Sequence, residues 1–242
     1  MAAMTAEPGF FKPASHFLER EITRLGEEPG LSSLPPGPER DFLTLTWGPI
    51  VYRVTYAPDS ERLFPVYLRA LNEEIQKAVP KHLQGSPEQM LLLQRTYASK
   101  VFTDRNLYDN ADIETVRQAF HDWKVSLGLP AMDLPIRLKF CLMVDDGCLA
   151  TLAAVTDGAA SVESQAEFEA VRIIIVEEDF PQKEKRGGSP PEGYPGWVAV
   201  SLAALVEVYS ALDMDKNLSD YYRKDQVYKG NGEWVRVRKP SL

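Results

Sequence analysis

The chain has 242 residues, with 27 Lys and Arg against 35 Asp and Glu and a formal charge of −8. At 44% hydrophobic and 26% charged, it can fill a core without disulfide or metal staples, and its net charge is too small to force disorder. The acid excess argues against a phosphate-neutralising surface, and no apolar run approaches the roughly 20 residues that span a bilayer, so neither nucleic acid nor membrane is expected as a partner.

Residues 1–41 read as an N-terminal extension, separable from a single α+β domain over 42–242. Residues 1–15 contain Glu7, two prolines and no continuous apolar stretch. They do not read as a signal peptide, and a cytoplasmic protein is expected. Ser15 caps a short amphipathic helix over 15–25, with Leu18, Ile22 and Leu25 on one face, and a Gly/Pro/Ser-rich connector follows over 26–38. Residues 50–56 alternate as a strand, placing Ile50, Tyr52, Val54 and Tyr56 on the apolar face and Arg53 on the other. Asp59 or Ser60 caps a helix to about residue 79, striped by Phe64, Leu68, Leu71, Ile75 and Val79. Pro65 fits it only within the first turn.

Residues 88–104 are ambiguous, helical near 90–93 and extended over 100–103. Asp109-Asn110 then caps the clearest helix, where Ile113, Val116, Phe120, Trp123 and Leu127 repeat with helical spacing until Gly128. A hairpin is expected from 137–145 and 148–155, joined by Asp146-Gly147 in a type I′ turn. In that register Cys141 faces Leu152, so Cys141 and Cys148 read as free thiols. A short polar helix over 161–170, a central strand over 171–176 and a charged, mobile loop over 182–194 come next. A strand over 197–200 leads into a buried helix capped by Ser201, and Gly230-Asn231-Gly232 marks a second hairpin. The fold class is α+β, with a mixed, largely antiparallel sheet and helices packed mainly on one face.

The stretch Trp47-Gly48-Pro49-Ile50-Val51-Tyr52-Arg53-Val54-Thr55-Tyr56, with Val101-Phe102-Thr103-Asp104 and Val116-Arg117-Gln118-Ala119-Phe120-His121-Asp122-Trp123, resembles a large group of small fungal proteins of unknown function. Residues 197–215 look loosely like the C-terminal half of an uncharacterised bacterial family. The resemblance covers about residues 42–225 and implies a fungal source and one folded body, without an activity or site residues.

No motif compels a reaction. His16, His82 and His121 lack metal-ligand spacing, and no nucleophile elbow or glycine-rich phosphate loop occurs, so no cofactor and no metal are expected. Two acidic clusters, Asp145-Asp146 and Glu177-Glu178-Asp179, would hold a cation only if their strand ends met at one sheet edge. The sharpest signal is cationic. The alternation places Arg53, Arg137 and Lys139 on the non-core face, with Arg172 joining them, a surface suited to an acidic protein partner or an anionic small molecule. The leading expectation is therefore a non-catalytic binding or scaffolding module using that basic face or the N-terminal helix. The alternatives are an isomerase or hydrolase with Arg53 as substrate clamp, and a homodimer pairing its exposed sheet faces.

Overall fold

The computed structural model describes residues 18–23, 36–82, 86–128, 134–156, 169–181, 191–214 and 216–236. In chain order the elements are α1 (Pro38–Leu45), β1 (Ile50–Arg53), α2 (Pro58–His82), α3 (Pro87–Thr96), β2 (Lys100–Phe102), α4 (Arg105–Tyr108), α5 (Ile113–Ser126), β3 (Phe140–Val144), α6 (Asp146–Thr156), β4 (Arg172–Glu177), β5 (Trp197–Ser201), α7 (Leu205–Asp213), β6 (Gln226–Gly230) and β7 (Glu233–Arg236). Short 3-10 turns occupy Ile136–Leu138, Leu202–Ala204 and Leu218–Tyr221. No helix among the described residues is long and apolar enough to cross a membrane.

The strands form one seven-stranded sheet in the order β2-β1-β3-β4-β5-β6-β7. β1 pairs in parallel with β2 and β3, as β5 does with β6, while the longer ladders β3/β4 and β4/β5, and β6/β7, are antiparallel. This is the expected α+β class. Helices cover both faces of the central strands. Tyr52 stacks on Phe102 at 4.7 Å and meets Phe120 of α5 edge-on at 6.4 Å. Arg53, the next residue and hence on the opposite face, reaches Ser60 and Phe64 of α2. α6 and α7 pack with α2 on that second face.

Local chemistry sets the helix starts. Ser86 closes a capping box with Gln89 ahead of Pro87, which resolves the ambiguous 88–104 stretch as α3 followed by β2. α5 starts at Asp112 instead of Asp109-Asn110. The Asp112 carboxylate accepts from Thr115 N at 2.8 Å, whereas Asn110 sits in a turn at φ 56° and donates its amide to Val54 O. Pro65 lies inside α2, beyond the first turn, and leaves the Glu61 carbonyl without its usual helical donor.

The expected hairpin over 137–155 does not form. Residues after Val144 turn into α6, because Asp145 Oδ1 caps it through Cys148 N at 2.7 Å and the Ala- and Leu-rich run behind favours helix. The antiparallel neighbour of β3 is instead β4, with Phe140 opposite Glu177. Both cysteines are free and buried. The C-terminal hairpin forms as expected, as β6 and β7 around Asn231-Gly232. The expected helix over 161–170 and loop over 182–194 fall largely outside the described residues.

Arg117, buried on α5, ties β4 to the start of β5. Its Nε donates to Glu177 O at 2.8 Å and its Nη2 to the carbonyls of Pro195 and Gly196. Gly196 has φ +76°, and a Cβ there would stand 2.6 Å from the guanidinium, so only glycine fits.

Residues 18–23 are helical, and Leu18, 1% exposed, belongs to the main core, while Arg20 pairs with Asp213 at 3.1 Å. The expected boundary after residue 41 falls inside α1, and Leu18 before it packs on the body. Leu18→Ala should therefore cost roughly 2–5 kcal/mol of unfolding free energy. Leu45→Ala, at a position 64% exposed, should change it by less than about 0.5 kcal/mol, as read by denaturant titration.

Candidate functional site: a groove over β4 and β5

Of the four cations singled out from the sequence, two are spent inside the protein. Arg53 donates to Thr55 O at 2.8 Å and Ser60 Oγ at 3.2 Å, pairs with Glu61 at 2.9 Å, and lies over the rings of Tyr56 and Phe64. Arg137 is buried in the 3-10 turn before β3, where it donates to Leu43 O and faces the Phe42 ring. Lys139 is exposed just after that turn, outside β3. The expected basic sheet face is therefore not assembled. β1 is covered on both sides, and Arg137 and Lys139 lie off the sheet.

The two acidic clusters stand at opposite ends of the sheet. Glu177 pairs with Phe140 at the start of β3, while Asp145 follows its end, about 17 Å away at roughly 3.4 Å per residue. Glu178 is buried against His121 and Lys124, and Glu177 accepts from Tyr194 Oη at 2.9 Å. No group of His, Cys, Asp and Glu among the described residues could hold a metal ion. His16 and the side chain of His82 lie outside the described residues.

Arg137 borders a small, mostly apolar pocket with Trp47, Ile75 and Tyr209, and Arg172 borders a larger one. A groove of about 440 Å³ runs along β4 and β5 on the α5 side of the sheet. Its floor is Ile174 and Ala199, paired in register and nearly buried. Trp197, Tyr221 and Tyr222 supply aromatic surface, Arg223, Lys224 and Asp225 are exposed at the rim, and Asp145 faces Arg172. The chain places these residues by simple means. Arg172, Ile174 and, across the ladder, Ala199 and Trp197 share one face by strand alternation. The 3-10 turn Leu218–Tyr221 sets Tyr221 and Tyr222 beside them, its carbonyl at Tyr221 accepting from Trp234 Nε1 at 3.2 Å. Arg223 stacks 3.6 Å above the Trp234 ring.

Asp145 and Arg172 are held rigidly. Arg172 Nη2 lies 3.2 Å from each Asp145 oxygen, and Asp145 is fixed in turn by capping α6. The guanidinium lies against Gly147, where a Cβ would sit 1.8 Å from Nη2, so this glycine provides clearance where the sequence suggested a turn. Arg172 N donates to Thr151 Oγ1 at 3.1 Å, and its carbonyl accepts from Tyr67 Oη. Beneath the pair, Cys148 is buried, and burial first, then the Asp145 charge, pushes its thiol up to about 12. Neither that thiol nor Cys141, also raised by burial, is a nucleophile at neutral pH.

Sequence reasoning found Arg172 and Asp145 but assigned them to separate clusters, and it missed the aromatic residues. The adjacent Tyr221-Tyr222 pair and the tryptophan opening a strand were the available signals. No family model matches the chain, and no characterised protein or solved structure is significantly similar to it.

Arg53→Ala should lower stability by about 1–3 kcal/mol, through lost ring contacts and hydrogen bonds. The ion pair adds little, because Glu61 is 58% exposed. Arg53→Lys should recover less than half of the loss, since a lysine lacks the planar stack.

Alkaline pH should weaken the fold. Burial raises Cys148 to about 12 from 9.0, and Tyr56 and Tyr221 to about 12 from 10.0. The unfolded chain therefore loses these protons first. Their contribution is complete below about pH 9 and disappears as pH rises toward about 12. Tyrosinate absorbance should rise together with loss of native circular dichroism, and a thiol reagent at neutral pH should label neither cysteine until the protein is unfolded.

Proposed function

We propose that the protein is a non-catalytic binding module that holds one small organic molecule in the groove over β4 and β5. The observation that carries this reading is the groove's construction: a cleft of about 440 Å³ with an apolar sheet floor, aromatic sides and a few fixed polar groups. That is the size and make-up of sites that enclose small ligands, which usually span roughly 300–1,000 Å³. A concave cleft also suits a small molecule better than a flat protein face.

Other expectations have less to stand on. The enzyme reading used Arg53 as its clamp, and Arg53 is committed to β1 and α2. Partner docking through the N-terminal helix would need a face that Leu18 spends in the core. Asp145 and Asp225 offset two of the three groove cations, Arg172, Arg223 and Lys224, which favours a polar neutral ligand over a strongly anionic one.

Ligand-observed NMR against a panel of bicyclic aromatic fragments should reveal binders to the full chain. Ala199→Phe, which fills the floor, and Tyr222→Ala, which removes aromatic surface, should each weaken these binders about tenfold or more while the protein still melts cooperatively. Wild-type protein that binds no fragment, or binding unchanged in both variants, would rule the groove out as the site.

A further inference from the structure

Building on the groove as a ligand site, we infer that its occupant is a planar heterocycle presenting a cyclic amide edge, an N–H beside a C=O, to Asp145 and Arg172. This is the hydrogen-bonding chemistry of a pyrimidine or purine base or a related fused ring.

Arg172 can only donate hydrogen bonds, and an ionised Asp145 can only accept them. Fixed side by side at 3.2 Å, they offer a donor next to an acceptor, and both are partly open to the groove, at 18% and 30% side-chain exposure. Neither group is saturated. Arg172 spends one nitrogen on Asp145, and its buried Nε has no hydrogen-bond acceptor among the described residues. Asp145 Oδ1 takes the Cys148 amide and Arg172, while Oδ2 takes Arg172 alone. A carboxylate with about four lone-pair sites therefore keeps capacity for one more donor.

The alternatives fit less well. A ligand carboxylate on Arg172 would lie against the charge of Asp145, and a ligand ammonium on Asp145 would lie against Arg172. A neutral amide edge answers both partners at once, with its carbonyl on Arg172 and its N–H on Asp145. Rigidity makes that pairing selective, because the α6 cap holds Asp145 and the Gly147 backbone leaves Arg172 no room to retreat. The aromatic surface supplied by Trp197, Tyr221 and Tyr222 then asks for a flat ring system, which stacks at small entropic cost.

Three probes separate these chemistries on the full chain by calorimetry: 1-methylquinazoline-2,4-dione, which keeps an N–H beside a C=O; 1,3-dimethylquinazoline-2,4-dione, which has no N–H; and 2-naphthoate, a flat anion. The 1-methyl compound should bind at least about tenfold more tightly than the 1,3-dimethyl compound, the order of one good hydrogen bond. Asp145→Asn, which still caps α6, should reduce that preference to less than about threefold while the protein still melts cooperatively. Equal affinity for the two diones, or tighter binding of naphthoate that is lost in Arg172→Lys, would overturn the amide-edge inference and leave the groove as a ligand site. Failure of all three probes to bind would overturn both.

Discussion

Residues 50–56 are buried at every position, so neither face of β1 meets water. Most of the architecture follows from that constraint. A strand covered on both sides needs helices above and below, and the chain supplies α2 on one face and α5 on the other. It also favours an indoor partner for each polar group there, although the buried Tyr52 hydroxyl has none among the described residues. Arg53 satisfies this with two hydrogen bonds, an ion pair at the rim and two aromatic rings. Thr55 does so by donating its hydroxyl to Asp146. Since burying an unpaired charge costs far more than burying a paired one, these contacts are conditions of the fold, and the same side chains are not free for recognition.

The corner after β3 is where structure and candidate function meet. Asp145 caps α6, engages Arg172 and thereby fixes the beginning of β4 against the end of β3. One carboxylate so placed serves local structure, sheet assembly and the polar end of the groove. Covering of the sheet is uneven from here on. α5 contacts β3 and β4, whereas over β4 and β5 the next cover on that side among the described residues is the Tyr221-Tyr222 segment, and the interval between them is the groove. The cleft is thus a by-product of how far one helix reaches across a seven-stranded sheet.

How much of this was legible can be judged from particular elements. The stripe in α2, the helical repeat in α5, the apolar run of β4 and the Gly230-Asn231-Gly232 turn were all visible, because each is local: spacing and turn chemistry act within a few residues. The Asp145-Asp146-Gly147 segment misled because the same residues suit a hairpin turn and a helix cap, and propensity alone does not choose between them. Tertiary context chose the cap. Arg53 misled for a related reason, since alternation was taken to separate core from solvent when in fact both faces were core. The groove itself was only half visible. Asp145 and Arg172, 27 positions apart, were noticed singly, but nothing in the sequence announced that the end of one strand would meet the beginning of the next.

What the sequence by itself determined was the α+β class and the position of most helices and strands, consequences of short-range periodicity and capping. Tertiary structure alone decided which strands became neighbours, which cations were consumed internally, and which aromatic and polar side chains came to line one cleft. The physical reason is one of range. Backbone geometry is governed by residues a few positions apart, whereas burial, ion pairing and cavity shape depend on distant segments arriving at the same place, and a period of two or 3.6 residues has no information about who arrives.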